Sequence, residues 1–178
     1  MKIKSQVSAI LAMATVLSSL GLAFTKSAEA APLTFSCKRL SGAWTTLVKE
    51  SGKQERQIIR WTSDFGAFAG YTPERRCQEV TNRMNKYFSE SSQFITYGRM
   101  KNLNVICTTD GQGKDCLHLL YTLKPDQDPK LTLEDLFNLS DSNVARGPRR
   151  EPPCPTYISI DALAAGKTRF AQEVCSTP

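Results

Sequence analysis

The amino-acid sequence predicts an α+β fold, with an antiparallel sheet of about six short strands packed against one long helix and stabilised by disulfides. Short stretches rich in aromatic and β-branched residues follow one another across short turns, which is typical of antiparallel strands. The stretch 73–90 has the clearest helical periodicity in the sequence. The chain of 178 residues also contains six cysteines, which can supply the disulfides.

Three strands are predicted before the helix. The stretches 34–38 and 43–48 are separated by a short turn, and the stretch 56–61 follows a second turn. A loop punctuated by Gly66 and Gly70 then leads to the helix.

The long helix is predicted from its first turn and its apolar stripe. Thr72 suits the N-cap, Pro73 the first helical position, and Glu74 the positive end of the helix dipole. Apolar residues recur at helical spacing on one face, at Cys77, Val80, Met84, Tyr87 and Phe88. We therefore expect Cys77 to point into the core and to form a structural disulfide.

Three further strand candidates follow the helix, at 94–97, 103–108 and 116–123. Cys107 and Cys116 stand at the two ends of one predicted hairpin loop, which favours a disulfide between them. Closing so short a loop contributes about 3 kcal/mol in the chain-entropy treatment.

The C-terminal part predicts less regular structure. Thr132 is expected to cap a short helix at 133–139, and the proline-rich stretch 140–156 is expected to be a loop. A last strand at 157–160 and a helical turn at 161–166 complete the elements.

The first thirty residues are typical of an export signal. A positively charged start is followed by a mostly apolar run, and Ala28 and Ala30 fit the small-residue pattern of a cleavage site. The predicted organisation is a signal peptide at 1–30 and a single exported domain at 31–178, with a periplasmic or other extracytoplasmic location. An uncleaved membrane anchor is the alternative interpretation. Without the signal, the formal charge falls from +6 to +4, and we expect no nucleic-acid partner.

The cysteines favour disulfides over a metal site. Export places them in an oxidising compartment, where an even number of cysteines is typical of a disulfide framework. No Cys-x-x-Cys pair occurs and the sequence has a single histidine, so a zinc pattern is missing. Six cysteines allow 15 complete pairings, and the sequence does not choose among them. The candidates are Cys37, Cys77, Cys107, Cys116, Cys154 and Cys175.

The sequence predicts neither a catalytic site nor a cofactor. His118 alternates with Leu117 and Leu119 in a predicted strand, so we expect a surface or edge histidine opposite two core leucines. Asp126-Gln-Asp128 begins like a calcium loop, but the glycine and glutamate that such a loop requires are replaced by apolar residues.

Two groups of basic residues are candidate contacts to an anionic surface. They are Arg75, Arg76, Arg83 and Lys86 in the long helix, and Arg146, Arg149 and Arg150 in a loop. Ordinary solvated charges are the alternative interpretation. Trp44, Trp61 and Tyr71 are possible members of a contact surface, with burial in the core as the alternative.

Several short motifs stand out along the chain: Phe35-Ser-Cys37, Trp44-Thr-Thr46, Arg60-Trp61, Gly70-Tyr-Thr-Pro-Glu74 with Arg76-Cys77, Val105-Ile-Cys107, and Cys116 with Leu119-Leu-Tyr-Thr-Leu123. Together they resemble the cyanobacterial circadian oscillating protein family. The resemblance covers about 35–139, and the extension 140–178 adds little to it. It implies an exported protein that is peripherally associated with the plasma membrane and whose abundance follows the daily cycle. It carries no catalytic residue onto this chain.

The predicted function is therefore a non-enzymatic extracytoplasmic domain that associates peripherally with a membrane surface or a membrane protein. One alternative is a periplasmic hydrolase that uses His118 with a carboxylate. Another is a secreted protease inhibitor that presents the tip of the Cys107–Cys116 hairpin. The oligomeric state stays open.

Overall fold

The computed structural model describes residues 31–64, 66–146 and 154–175. The predicted export signal lies outside these residues. The elements are β1 (Leu33–Leu40), β2 (Ala43–Glu50), β3 (Arg56–Trp61), the 3-10 turn Ala67–Ala69, α1 (Pro73–Glu90), β4 (Phe94–Met100), β5 (Leu103–Thr109), β6 (His118–Thr122), α2 (Pro129–Leu136), β7 (Val144–Ala145), β8 (Thr156–Ser159), α3 (Ile160–Ala164) and β9 (Ala171–Glu173). The α+β class predicted from the sequence is confirmed.

The strands of the described residues form two sheets. One is the antiparallel sheet β1-β2-β3, and the other has six strands in the order β6-β5-β4-β8-β9-β7. β7 and β9 pair in parallel, whereas the other neighbours pair antiparallel. The sequence did not predict these two strands, because segments of two and three residues are too short to show a periodicity.

Helix α1 begins and packs as its sequence predicts. The Thr72 side chain accepts a hydrogen bond from the Arg75 backbone nitrogen at 3.2 Å, and Pro73 is the first helical residue. The buried face of α1 includes Cys77, Val80 and Met84. Since α1 contacts β1 and β2 of the first sheet and β6 of the second, its apolar face joins the two sheets in one core.

All six cysteines form disulfides. Cys37 in β1 is bonded to Cys77 in α1, and Cys154 is bonded to Cys175. The disulfide predicted between Cys107 and Cys116 is present, with 5.5 Å between the two Cα atoms. Three disulfides indicate an oxidising environment, and no cysteine remains as a free thiol.

The prediction for α2 was wrong in its boundaries. The helix spans Pro129–Leu136 and its N-cap is Asp128, whose side chain accepts a hydrogen bond from the Leu131 backbone nitrogen at 2.9 Å. Thr132 lies inside the helix and donates its hydroxyl to the Asp128 carbonyl oxygen at 2.8 Å. Asp128 followed by Pro129 is a complete N-cap signal, which the prediction from Thr132 did not take into account.

Replacing Asp128 by alanine is expected to lower the free energy of unfolding by about 1 kcal/mol, because the Leu131 backbone nitrogen loses its acceptor. Urea denaturation followed by circular dichroism measures this change. Asp126→Ala is the matched control, since Asp126 is exposed and lies before the cap. Equal effects of the two substitutions would contradict the assigned cap.

Candidate functional site

A hydrogen-bonded turn at 66–71, between β3 and α1, presents an aromatic side chain to solvent. Phe68 is 92% exposed. The backbone around it is tightly hydrogen-bonded, with the Ala69 nitrogen donating to the Gly66 carbonyl oxygen at 2.9 Å and the Tyr71 nitrogen donating to the same oxygen at 2.8 Å. Gly66 and Gly70 both have a φ near +80°, a conformation that favours glycine. The turn therefore holds Phe68 outward.

One face of α1 beside this loop carries the charged residues Arg75, Glu79, Arg83 and Lys86. At 100° per residue they lie within an arc of about 80°. Glu79 pairs with Arg75 at 2.7 Å and with Arg83 at 3.6 Å, and the hydrogen bond and charge of Glu79 raise the pKa of Arg75. The Arg75 guanidinium also lies 4.6 Å from the centre of the Tyr71 ring. This face contributes three cations and one carboxylate, and we refer to it together with Phe68 as the loop–helix surface.

Arg76 does not belong to this exposed face. It is only 7% exposed, so its predicted role as a contact to an anionic surface does not agree with its position. Its guanidinium lies 5.5 Å from the centre of the Trp61 ring and donates a hydrogen bond to the Ser63 carbonyl oxygen. Within the described part of the chain, its Nε atom has no hydrogen-bond acceptor and no carboxylate pairs with it.

A groove of about 420 Å³ separates the loop from α1 and β6. Most of its lining is apolar or aromatic, and the charged residues at its wall come from α1. The lining residues are Gly66, Phe68, Ala69, Tyr71, Arg76, Glu79, Val80, Arg83, Leu119, Tyr121 and Thr122. A concave, mostly apolar surface with a few charged groups is typical of a ligand site.

The second predicted basic group is different. Arg146 pairs with Glu173 at 3.2 Å, Asp141 at 3.3 Å and Glu134 at 3.4 Å, so nearby carboxylates balance its charge. Arg149 and Arg150 lie outside the described residues.

His118 lies on β6 with its ring stacked on Tyr87 of α1, with 4.3 Å between the ring centres and 12° between the ring planes. Among the described residues, no carboxylate forms an ion pair with it. Leu117 is exposed and Leu119 half-buried, so the expected pair of core leucines beside His118 is not found; Leu120 is the buried residue of this strand. The pairing of β5 with β6 shifts register between Ile106 and Cys107, which breaks the simple alternation.

The tip of the Cys107–Cys116 hairpin packs on the C-terminal part of the domain. The Tyr157 hydroxyl donates to the Lys114 carbonyl oxygen at 3.1 Å, and the Gln112 side chain donates to the Gln172 side-chain oxygen at 3.3 Å. These contacts fix the hairpin tip against the domain. This tip is the segment that would bind a protease if the protein were an inhibitor.

The three aromatic residues predicted for a contact surface have different environments. Trp61 is buried and donates its indole N–H to the Thr46 hydroxyl at 3.0 Å, and Trp44 is half-buried. Tyr71 is 47% exposed beside Phe68. Phe68 was not among the predicted contact residues, although a phenylalanine between two turn glycines was a usable signal.

The described residues contain neither a cluster of three or more potential metal ligands nor a helix long and apolar enough to cross a bilayer.

The comparisons with known proteins identify a family. A family model described as circadian oscillating protein COP23 matches residues 34–164. The match includes the region 35–139 that carries the sequence resemblance, and it continues 25 residues further, into the predicted extension. No curated protein and no solved structure was found to match.

Proposed function

This chain belongs to the circadian oscillating protein COP23 family, and we propose that it is a non-enzymatic extracytoplasmic domain that binds peripherally to an anionic membrane surface. The main observation behind this proposal is the exposed side chain of Phe68. Family membership also supports a daily oscillation in the abundance of the protein.

Exposure of the Phe68 side chain to water is unfavourable. Full burial of a phenylalanine side chain is worth about 1.5–3 kcal/mol relative to exposure, yet Phe68 is 92% exposed on a hydrogen-bonded turn. Tyr71 stands beside it with an apolar ring and a polar hydroxyl, the combination that favours the boundary between lipid headgroups and acyl chains. The loop is thus suited to insert one apolar ring just below the headgroups.

The charges beside the loop suit an anionic surface. Arg75, Arg83 and Lys86 lie on the face of α1 that adjoins it, with Glu79 as the one opposing charge. A basic side chain near an anionic membrane contributes about 1 kcal/mol, so this face adds weak and salt-sensitive attraction to the insertion of Phe68. The predicted domain 31–178 is also net positive.

We place the domain outside the cytoplasm because all six cysteines are paired. Three disulfides in one domain are typical of exported proteins and rare in reducing compartments. The residues at 1–30, with their charged start and apolar run, supply the export signal in this proposal.

Phe68→Ala is expected to weaken binding to phosphatidylglycerol-containing vesicles by about 10- to 100-fold, which corresponds to the loss of 1.5–3 kcal/mol of apolar burial. Vesicle flotation at low ionic strength measures it. Leu131→Ala is the matched control, because Leu131 is 59% exposed but lies on α2 and is not part of the loop–helix surface. The control is expected to bind as the wild-type protein does.

Salt and lipid composition give the decisive comparison. Binding is expected to weaken at high salt and on uncharged phosphatidylcholine vesicles. Binding that is equal on both kinds of vesicle, or that Phe68→Ala leaves unchanged, would contradict the proposal. Binding to native membranes that protease treatment abolishes would instead identify a membrane protein as the partner.

A further inference from the structure

We propose that the groove between the 66–70 loop, α1 and β6 binds a small amphipathic monocarboxylate. Its carboxylate pairs with Arg76, and its apolar body lies along the groove against Tyr71, Leu119 and Tyr121. This binding concerns a soluble ligand inside the groove, and it does not depend on association with a membrane.

Arg76 is the observation that points to an anion. Burying a cation is unfavourable unless charged or hydrogen-bonding partners replace the lost water. Arg76 is only 7% exposed to solvent. Its partners in the described chain are the Ser63 carbonyl oxygen and the face of the Trp61 ring. Its Nε has no acceptor there. An anionic ligand in the groove, which Arg76 lines, would supply the missing charge.

The walls of the groove determine the rest of the ligand. Val80, Leu119 and Tyr121 give it an apolar wall, and the more exposed Phe68, Ala69 and Tyr71 lie at its mouth. Its volume of about 420 Å³ falls in the range of about 300–1,000 Å³ typical of small-molecule sites. An apolar body of one short alkyl chain or one aromatic group suits this space.

The other charges at the wall do not compete for the anion. Glu79 pairs with both Arg75 and Arg83, so its negative charge is compensated within α1. Arg83 also donates to the Leu120 carbonyl oxygen at 2.7 Å. Arg76 is thus the one guanidinium of the groove without a carboxylate among the described residues, and a single buried guanidinium matches a single negative charge. A planar carboxylate fits the donor geometry of arginine.

The test is a titration with decanoate below its micelle concentration, with the three disulfides of the purified protein intact. Trp61 reports binding through its fluorescence, because the Arg76 guanidinium lies against its ring. Saturable binding of one decanoate per chain is expected. Decanol has the same chain without the charge, and it is expected to bind about 10- to 100-fold more weakly, as suits the loss of a charged hydrogen bond.

The variants separate the site from general hydrophobic binding. Arg76→Met is expected to reduce the affinity for decanoate to that for decanol. Arg99→Met removes the same charge from an exposed position of β4, outside the groove lining, and is expected to bind decanoate as the wild-type protein does. If Arg76→Met does not fold, Ala69→Trp fills the mouth of the groove from an exposed position and is expected to abolish binding.

Three results would overturn the inference. They are equal affinities for decanoate and decanol, unchanged decanoate affinity in folded Arg76→Met or Ala69→Trp, and absence of saturable binding to the wild-type protein. Since no vesicle is present, each of these results leaves the proposed membrane association to its own test. Conversely, loss of vesicle binding in Phe68→Ala does not bear on the pairing of decanoate with Arg76.

Discussion

Replacement of Cys37 and Cys77 together by alanine is expected to lower the free energy of unfolding by about 4 kcal/mol. The disulfide joins residues 40 positions apart and therefore restricts a long loop of the unfolded chain. It also attaches β1 to α1, the helix that packs on both sheets. Cys77 is completely buried, so the removed sulfur adds a small packing defect to the entropic loss. Urea denaturation under non-reducing conditions measures the change.

The double substitution of Cys107 and Cys116 by alanine is the control for loop length. These residues are 9 positions apart, and the same treatment gives about 3 kcal/mol. Peptide mapping without reductant verifies that the remaining four cysteines keep their partners in each variant. A larger loss from the short loop than from the long one would show that native packing, rather than loop closure, dominates these contributions.

The two disulfides illustrate which contacts the sequence predicts. Cys107 and Cys116 flank one turn, so local strand patterning was enough to pair them. Cys37 and Cys77 lie on a strand and a helix whose approach depends on packing of the whole domain. Helical periodicity places Cys77 on the buried face but contains no information on which strand faces it. The remaining bond, between Cys154 and Cys175, depends likewise on long-range pairing of β8 with β9.

The candidate site shows the same division. The helix, its cap and its charged face follow from local signals. The burial of Arg76 does not, because Arg76 stands at the edge of the apolar stripe and is covered by Trp61, which comes from another element. Local periodicity assigns such a residue to the exposed side. Phe68 is the opposite case, since hydrophobicity alone suggests burial, whereas the hydrogen-bonded turn between two glycines holds its ring outward.

Helix α2 provides the second large expected effect, through a comparison of two leucines within one helix. Leu133 is completely buried and belongs to the core, whereas Leu131 is 59% exposed. Side chains two positions apart in an α-helix differ in direction by about 160°, so Leu131 and Leu133 lie on nearly opposite faces. Leu133→Ala is expected to lower the free energy of unfolding by about 2–5 kcal/mol, because it removes buried methyl groups and leaves a cavity.

Leu131→Ala is expected to change the free energy of unfolding by less than about 0.5 kcal/mol, since its side chain is already in water. Thermal and urea denaturation of both variants measure the difference, and both keep the Asp128 cap. The helix boundaries determine which leucine faces the core, because α2 begins at Pro129 and both leucines lie inside it. Similar losses from the two variants would therefore contradict the orientation of α2. A large loss from Leu133→Ala alone would confirm that this short helix is fixed to the sheets through its apolar face.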